Sequence, residues 1–155
     1  MVDQTPRGAG SNGYNEPERE ELPDVIALRL PPKPQYLPVV RAAMGVIAGD
    51  MSFNYDEIVQ LRVAVSEAFE LAVRAAGDVI TPVVITEVEV CFIIALDRLE
   101  VTIPYPREGV DQITNETNEE SLALLKSLVD EVELTGGTAG KPLIRLLKYR
   151  PNGGT

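Results

Sequence analysis

The sequence predicts an α/β protein of the α+β two-layer type, with three helices on one face of a mixed, mostly antiparallel sheet. Three observations carry that prediction. Short segments with period-two alternation or dense β-branching open, centre and close the chain. Two long segments between the first and second of these repeat their apolar residues every three to four positions, as helices do. The central strand pair is joined by a turn too tight for a crossover, which makes it an antiparallel hairpin. The expected order is βααββαββ. With 155 residues, 45% of them hydrophobic, the chain suffices for one domain with a proper core.

Residues 1–23, "MVDQTPRGAGSNGYNEPEREELP", are rich in Gly, Pro, Asn and Glu and hold little to bury, so they are expected to be a disordered tail. Residues 24–30, "DVIALRL", alternate as a strand with Ile26, Leu28 and Leu30 on one face, and "PPKP" ends it because proline cannot continue a ladder. Residues 35–50 read as a helix through Leu37, Val40, Met44 and Ile47. Pro38 is tolerated only in a first turn, which sets the start near Gln35. Asn54 and Glu57 match a capping box, and a second helix then runs to Ala76 and stops at Gly77. Its core stripe is Ile58, Leu61, Val65, Ala68 and Ala72. A neighbouring stripe holds Ala64, Glu67 and Leu71, with Glu67 its only charge.

Residues 82–95 and 99–104 read as strands joined by the turn "LDR". A polar loop follows, and residues 119–132 return to helical spacing through Leu122, Leu125 and Val129. The words "VEL", "TGGTAGK" and "PLIRLLKY" suggest a closing hairpin, so the domain is expected over 24–150 with a tail at 151–155.

Composition excludes several classes of function. Histidine is absent, which removes Ser-His and Cys-His catalysis and argues against zinc. The lone cysteine, Cys91, permits no internal disulfide and is expected to be a buried small hydrophobe. A net charge of −10 without a basic stripe argues against nucleic acid and anionic membranes, and favours a basic protein partner. With no signal-peptide pattern and no long apolar run, a cytoplasmic location is expected.

The stretch "LRLPPKPQYLPVVRAAMGVIAGDMSFNYDEIVQLRVAVSEAFELAV", with "DRLEVTI" and "LKSLVDEVEL" after it, resembles the anti-sigma-factor serine kinases over roughly residues 24–150. Those kinases are histidine-kinase-like ATPases of the GHKL superfamily, so the resemblance implies a Bergerat-type fold. In that family the second helix carries an N-box. Its glutamate is a general base or orients water, and an asparagine four residues later binds the magnesium that bridges the ATP phosphates. Glu67 occupies the glutamate position and Leu71 the asparagine position. A hard cation wants oxygen ligands, and leucine has none.

The family's other ATP elements also depart. Its Asp-x-Gly-x motif reads adenine; here "PYPRE" places Tyr105 for the Asp and Arg107 for the Gly. Its glycine-rich phosphate loop aligns with "NEESLALLK", which includes Ser121 and no glycine, and whose Glu119 and Glu120 would repel a triphosphate. ATP binding in the family's manner is therefore expected to be lost, with no cofactor and no metal. Glu67 is then a vestigial general base or simply a solvated acid.

The resemblance also implies a partner surface on the first helix, where an arginine recognises a sigma factor or a STAS-domain antagonist. Arg41 falls at that position, with a solvated helix face as the plainer reading. It implies a homodimer as well. The expected function is a non-catalytic regulator that binds a sigma factor or a STAS-domain antagonist. The alternatives are a divergent Mg-ATP-dependent serine/threonine kinase acting on a STAS-domain anti-anti-sigma factor, and a small-molecule sensor using a remodelled, more apolar pocket.

Overall fold

Alternating apolar residues make the strands of this chain, and the partners those strands find decide the sheet. The computed structural model describes residues 21–77, 85–104, 116–135 and 142–151. The elements are β1 (Asp24–Leu30), a 3-10 turn (Pro34–Tyr36), α1 (Leu37–Asp50), α2 (Tyr55–Gly77), β2 (Val88–Ile94), β3 (Arg98–Pro104), α3 (Glu116–Leu128), β4 (Glu131–Thr135) and β5 (Leu143–Tyr149). This is the expected βααββαββ order. The sheet runs β1-β2-β3-β5-β4 and all four pairings are antiparallel, so the parallel component of a mixed sheet is missing among the described strands. The expected tails fall almost wholly outside the described residues.

The capping box closes as its sequence requires. The Glu57 amide donates to Asn54 Oδ1 at 2.8 Å, and the Asn54 amide donates to Glu57 Oε2 at 2.9 Å. In the turn before it, Ser52 takes a left-handed conformation (φ 64°) that reverses the chain and lets the Phe53 amide reach the Ala48 carbonyl. Phe53 and Met51 are thereby buried against the core.

One face of the sheet is the core. Val88, Val90 and Phe92 of β2, Leu99, Val101 and Ile103 of β3, and Ile144 and Leu146 of β5 are buried together with Leu61, Val65, Ala68, Phe69 and Ala72 of α2 and Leu125 of α3. β1 shares this face through the register Ile26↔Phe92, Leu28↔Val90 and Leu30↔Val88, yet only Leu30 is buried and Ile26 is 42% exposed. β1 and β4 are the edge strands of the described sheet, while α2 packs over β2 and β3 and α3 beside β4. The opposite face is mixed, with Val25, Ile93 and Leu147 among ion pairs. Arg29 pairs with Glu89, and Arg145 lies across β5 between Glu100 and Glu133.

Two expectations need correction. The last helix ends at Leu128 rather than at 132. Asp130 turns the chain there: its amide donates to the Leu147 carbonyl and its carboxylate accepts from the Tyr149 amide. Val132 and Leu134 then pair with β5 as a strand. Cys91 is not in the core either. Strand alternation places it on the opposite face, half-buried, with its thiol donating to Glu89 Oε1 at 3.2 Å. Burial first, and then the neighbouring Glu89 carboxylate, push the Cys91 thiol above its ordinary pKa.

Two measurements check these local arguments. Asn54→Ala should cost about 1 kcal/mol in urea unfolding, because one orphan amide of α2 loses its acceptor. Cys91 should react with iodoacetamide at pH 7.5 more slowly than a free thiol, since a raised pKa leaves less thiolate; a faster reaction would contradict the placement.

Candidate functional site: the two faces of helix α2

Helical geometry brings Glu67, Leu71 and Arg74 to one side of α2, because positions i, i+4 and i+7 share a face. α3 packs against that side. Leu71 is 3% exposed and joins the hydrophobic core, so the greasy position of the N-box-like stripe is a packing residue. Glu67 is held between two partners. Ser121 of α3 donates its hydroxyl to Glu67 Oε1, and Arg74 Nη2 lies 3.8 Å from the same oxygen. Arg74 Nη2 also donates to Ser121 Oγ at 3.4 Å. The three side chains close a polar triangle between α2 and α3, with Ser121 only 6% exposed. Each member is satisfied, which a part-buried polar contact requires.

The residue before Glu67 is turned about 100° around the helix, toward α1. Ser66 is buried, donates to the Arg62 carbonyl at 2.7 Å, and accepts from Arg41 Nε at 2.6 Å. Arg41 is thereby fixed over the junction of α1 and α2. A groove of about 280 Å³ opens there, lined by Arg41, Val59, Arg62, Val63, Ser66, Glu67 and Glu70.

The structure thus brings Glu67, Leu71 and Ser121 together at the α2–α3 contact and places Arg41 at the α1–α2 groove, which Glu67 also borders. Tyr105 and Arg107 lie outside the described residues. Sequence reasoning missed Arg74 and Ser66. Arg74 could have been found from its i+7 spacing to Glu67; Ser66 had no signal, because its partner comes from another helix. No group of three Cys, Asp or Glu side chains that could hold a metal occurs among the described residues.

Leu71→Asn places an amide in this packed site with no partner provided for it. The variant should lose roughly 1–3 kcal/mol of stability in denaturant unfolding. A neutral result would mean that the position has access to water or to a hidden partner.

No family model matches the chain. It is 34% identical over 131 residues to serine-protein kinase RsbW of Bacillus licheniformis, covering 72% of this chain and 78% of that protein. It is 32% identical over 129 residues to serine-protein kinase RsbW of Bacillus subtilis, with the same coverage of 72% and 78%. Among solved structures it is similar to the RsbU and RsbW domains of Rv1364c from Mycobacterium tuberculosis. There the TM-score is 0.60 at 20% identity, over 83% of this chain and 33% of that one, a likeness that speaks to the fold. The identity to the curated relatives extends over most of both chains, and the protein therefore belongs to the RsbW serine-protein kinase family.

Proposed function

We propose that this protein is a non-catalytic anti-sigma-factor-like regulator that binds a sigma factor or a STAS-domain antagonist by protein–protein contact, without Mg-ATP. The observation that carries the proposal is the state of the N-box positions. Leu71 is buried among apolar side chains and offers no oxygen to a hard cation. Glu67 Oε1 is engaged by Ser121 and Arg74, so the acid that would serve as a base is committed to holding α3. These residues do not fit a magnesium-bound nucleotide. What remains for function is surface, and Arg41, held by Ser66 beside an open groove, is the residue we assign to partner recognition.

The alternative is a divergent ATP-dependent serine/threonine kinase acting on a STAS-domain anti-anti-sigma factor. Glu67 at the family's glutamate position and the relatives' shared designation as serine-protein kinases favour it. A homodimer is compatible with either reading: β1 is an edge strand, and its Val25 is 61% exposed. No helix among the described residues is long and apolar enough to cross a membrane, and we place the protein in the cytoplasm.

Isothermal titration decides between the two readings. We expect no binding of Mg-ATP at a Kd of about 1 mM or tighter, equivalent to ~4 kcal/mol. Leu71→Asn alone should not create it; tighter binding would establish the kinase reading. Gel filtration with the sigma factors and STAS proteins of the native host should show a complex with at least one. Its absence with all of them would sink the regulator.

A further inference from the structure

The edge strand β4 alternates two kinds of side chain that the proposed function leaves unused. It reads Glu131, Val132, Glu133, Leu134 and Thr135. Its inner edge pairs with β5 over all five residues, and no described strand lies along its outer edge. Alternate amides and carbonyls on that outer edge therefore have no partner within the described sheet. Val132 and Leu134 pack against the core yet stay only half-buried, which leaves apolar surface uncovered at the margin of the sheet.

Glu131 and Glu133 lie on the other face of the strand, opposite Leu147 and Arg145, and both are exposed. Their charge is incompletely answered. Arg145 Nη1 lies 3.3 Å from Glu133, but Arg145 Nε is paired with Glu100, so one cation serves two carboxylates. Glu131 accepts from the neutral Tyr149 hydroxyl at 3.1 Å, and no described Lys or Arg stands within salt-bridge distance of it. This pattern selects an occupant. A second copy pairing edge to edge would set the acids of the two strands against one another, and like charges directly opposite destabilise a sheet. A strand with basic side chains on one face and apolar ones on the other answers both rows.

We propose that the outer edge of β4 receives an extended segment of a partner protein, alternately basic and apolar, as an added strand of the sheet. Main-chain hydrogen bonds supply the affinity. Lysine or arginine side chains lie beside Glu131 and Glu133, and apolar side chains extend the row of Val132 and Leu134. The net charge of −10 draws such a segment in. This surface involves neither Arg41 nor the contact of Glu67 with Ser121 and Arg74. It goes beyond the proposed function and depends on no part of it.

The test uses the full chain and fluorescein-labelled peptides of about seven residues, long enough to span β4, that alternate lysine and valine. A twin has glutamate for each lysine. Two more peptides carry backbone N-methyl groups, one on every lysine and the other on every valine. Successive amides of a strand point to opposite edges, so only one of these two sets faces β4. Fluorescence anisotropy should show the lysine peptide binding at least about tenfold tighter than its glutamate twin. One N-methylated peptide should bind as its parent does, and the other should lose at least about tenfold. Hydrogen exchange should slow across Glu131–Thr135 on binding and stay unchanged in β1. Glu131→Lys with Glu133→Lys should erase the lysine preference, with an unchanged circular dichroism spectrum. Asp50→Lys with Glu87→Lys changes the net charge equally at other elements and should keep it. Equal binding of the lysine and glutamate peptides, equal binding of the two N-methylated ones, protection in β1 instead of β4, no binding of the lysine peptide at about 1 mM, or a preference that survives the β4 charge reversals would overturn the proposal.

Discussion

Helix α2 has to satisfy three neighbours at once, and that demand organises the molecule. Leu61, Val65, Ala68, Phe69 and Ala72 face the sheet and are buried there with Phe92, Leu99 and Ile103. Fully burying a Val, Leu, Ile or Phe side chain contributes about 1.5–3 kcal/mol, so this seam is a main source of stability. A helix of 23 residues with one side on a sheet still has two flanks. α1 takes one flank and α3 the other, and each flank carries a polar contact that the neighbouring helix completes.

Those contacts rest on adjacent residues. Ser66 turns toward Arg41 on α1, and Glu67 turns toward Ser121 on α3. The groove and the N-box-like site are therefore two flanks of a single turn of α2. A helical turn is stiff, because its backbone hydrogen bonds fix both residues together. The acid is a fastening where a nucleotide-binding relative would need it free. Arg74 supplies countercharge and Ser121 a buried hydroxyl, while the Arg74 guanidinium keeps contact with solvent.

Much of this was legible in the residues. Asn54 and Glu57 announced the start of α2, and the reciprocal bonds between them are local enough for sequence to specify. Proline and glycine marked the ends of β1 and α2 for similar reasons. The failures are where a distant partner decides. Val129 and Val132 continue a helical pattern, but pairing with β5 draws the chain into a strand from Glu131 onward. Cys91 sits in an apolar word, and only the register of β2 shows that it points away from the core. Ile26 alternates correctly, and its exposure follows from the helices lying over the inner strands.

The candidate site divides along the same line. The residues by themselves determined that Glu67 and Leu71 share a helix face, that Leu71 brings no metal-binding oxygen, and that no glycine stands near Ser121, because spacing and side-chain chemistry are local properties. Only the tertiary structure decided that Leu71 is packed, that Glu67 is held by Ser121 and Arg74, and that Arg41 and Arg62 meet over one groove. Hydrogen-bond partners and like-charge neighbours drawn from separate helices depend on how those helices pack. A one-dimensional pattern specifies which face each helix buries, and the packing of those faces sets which polar groups meet at their edges.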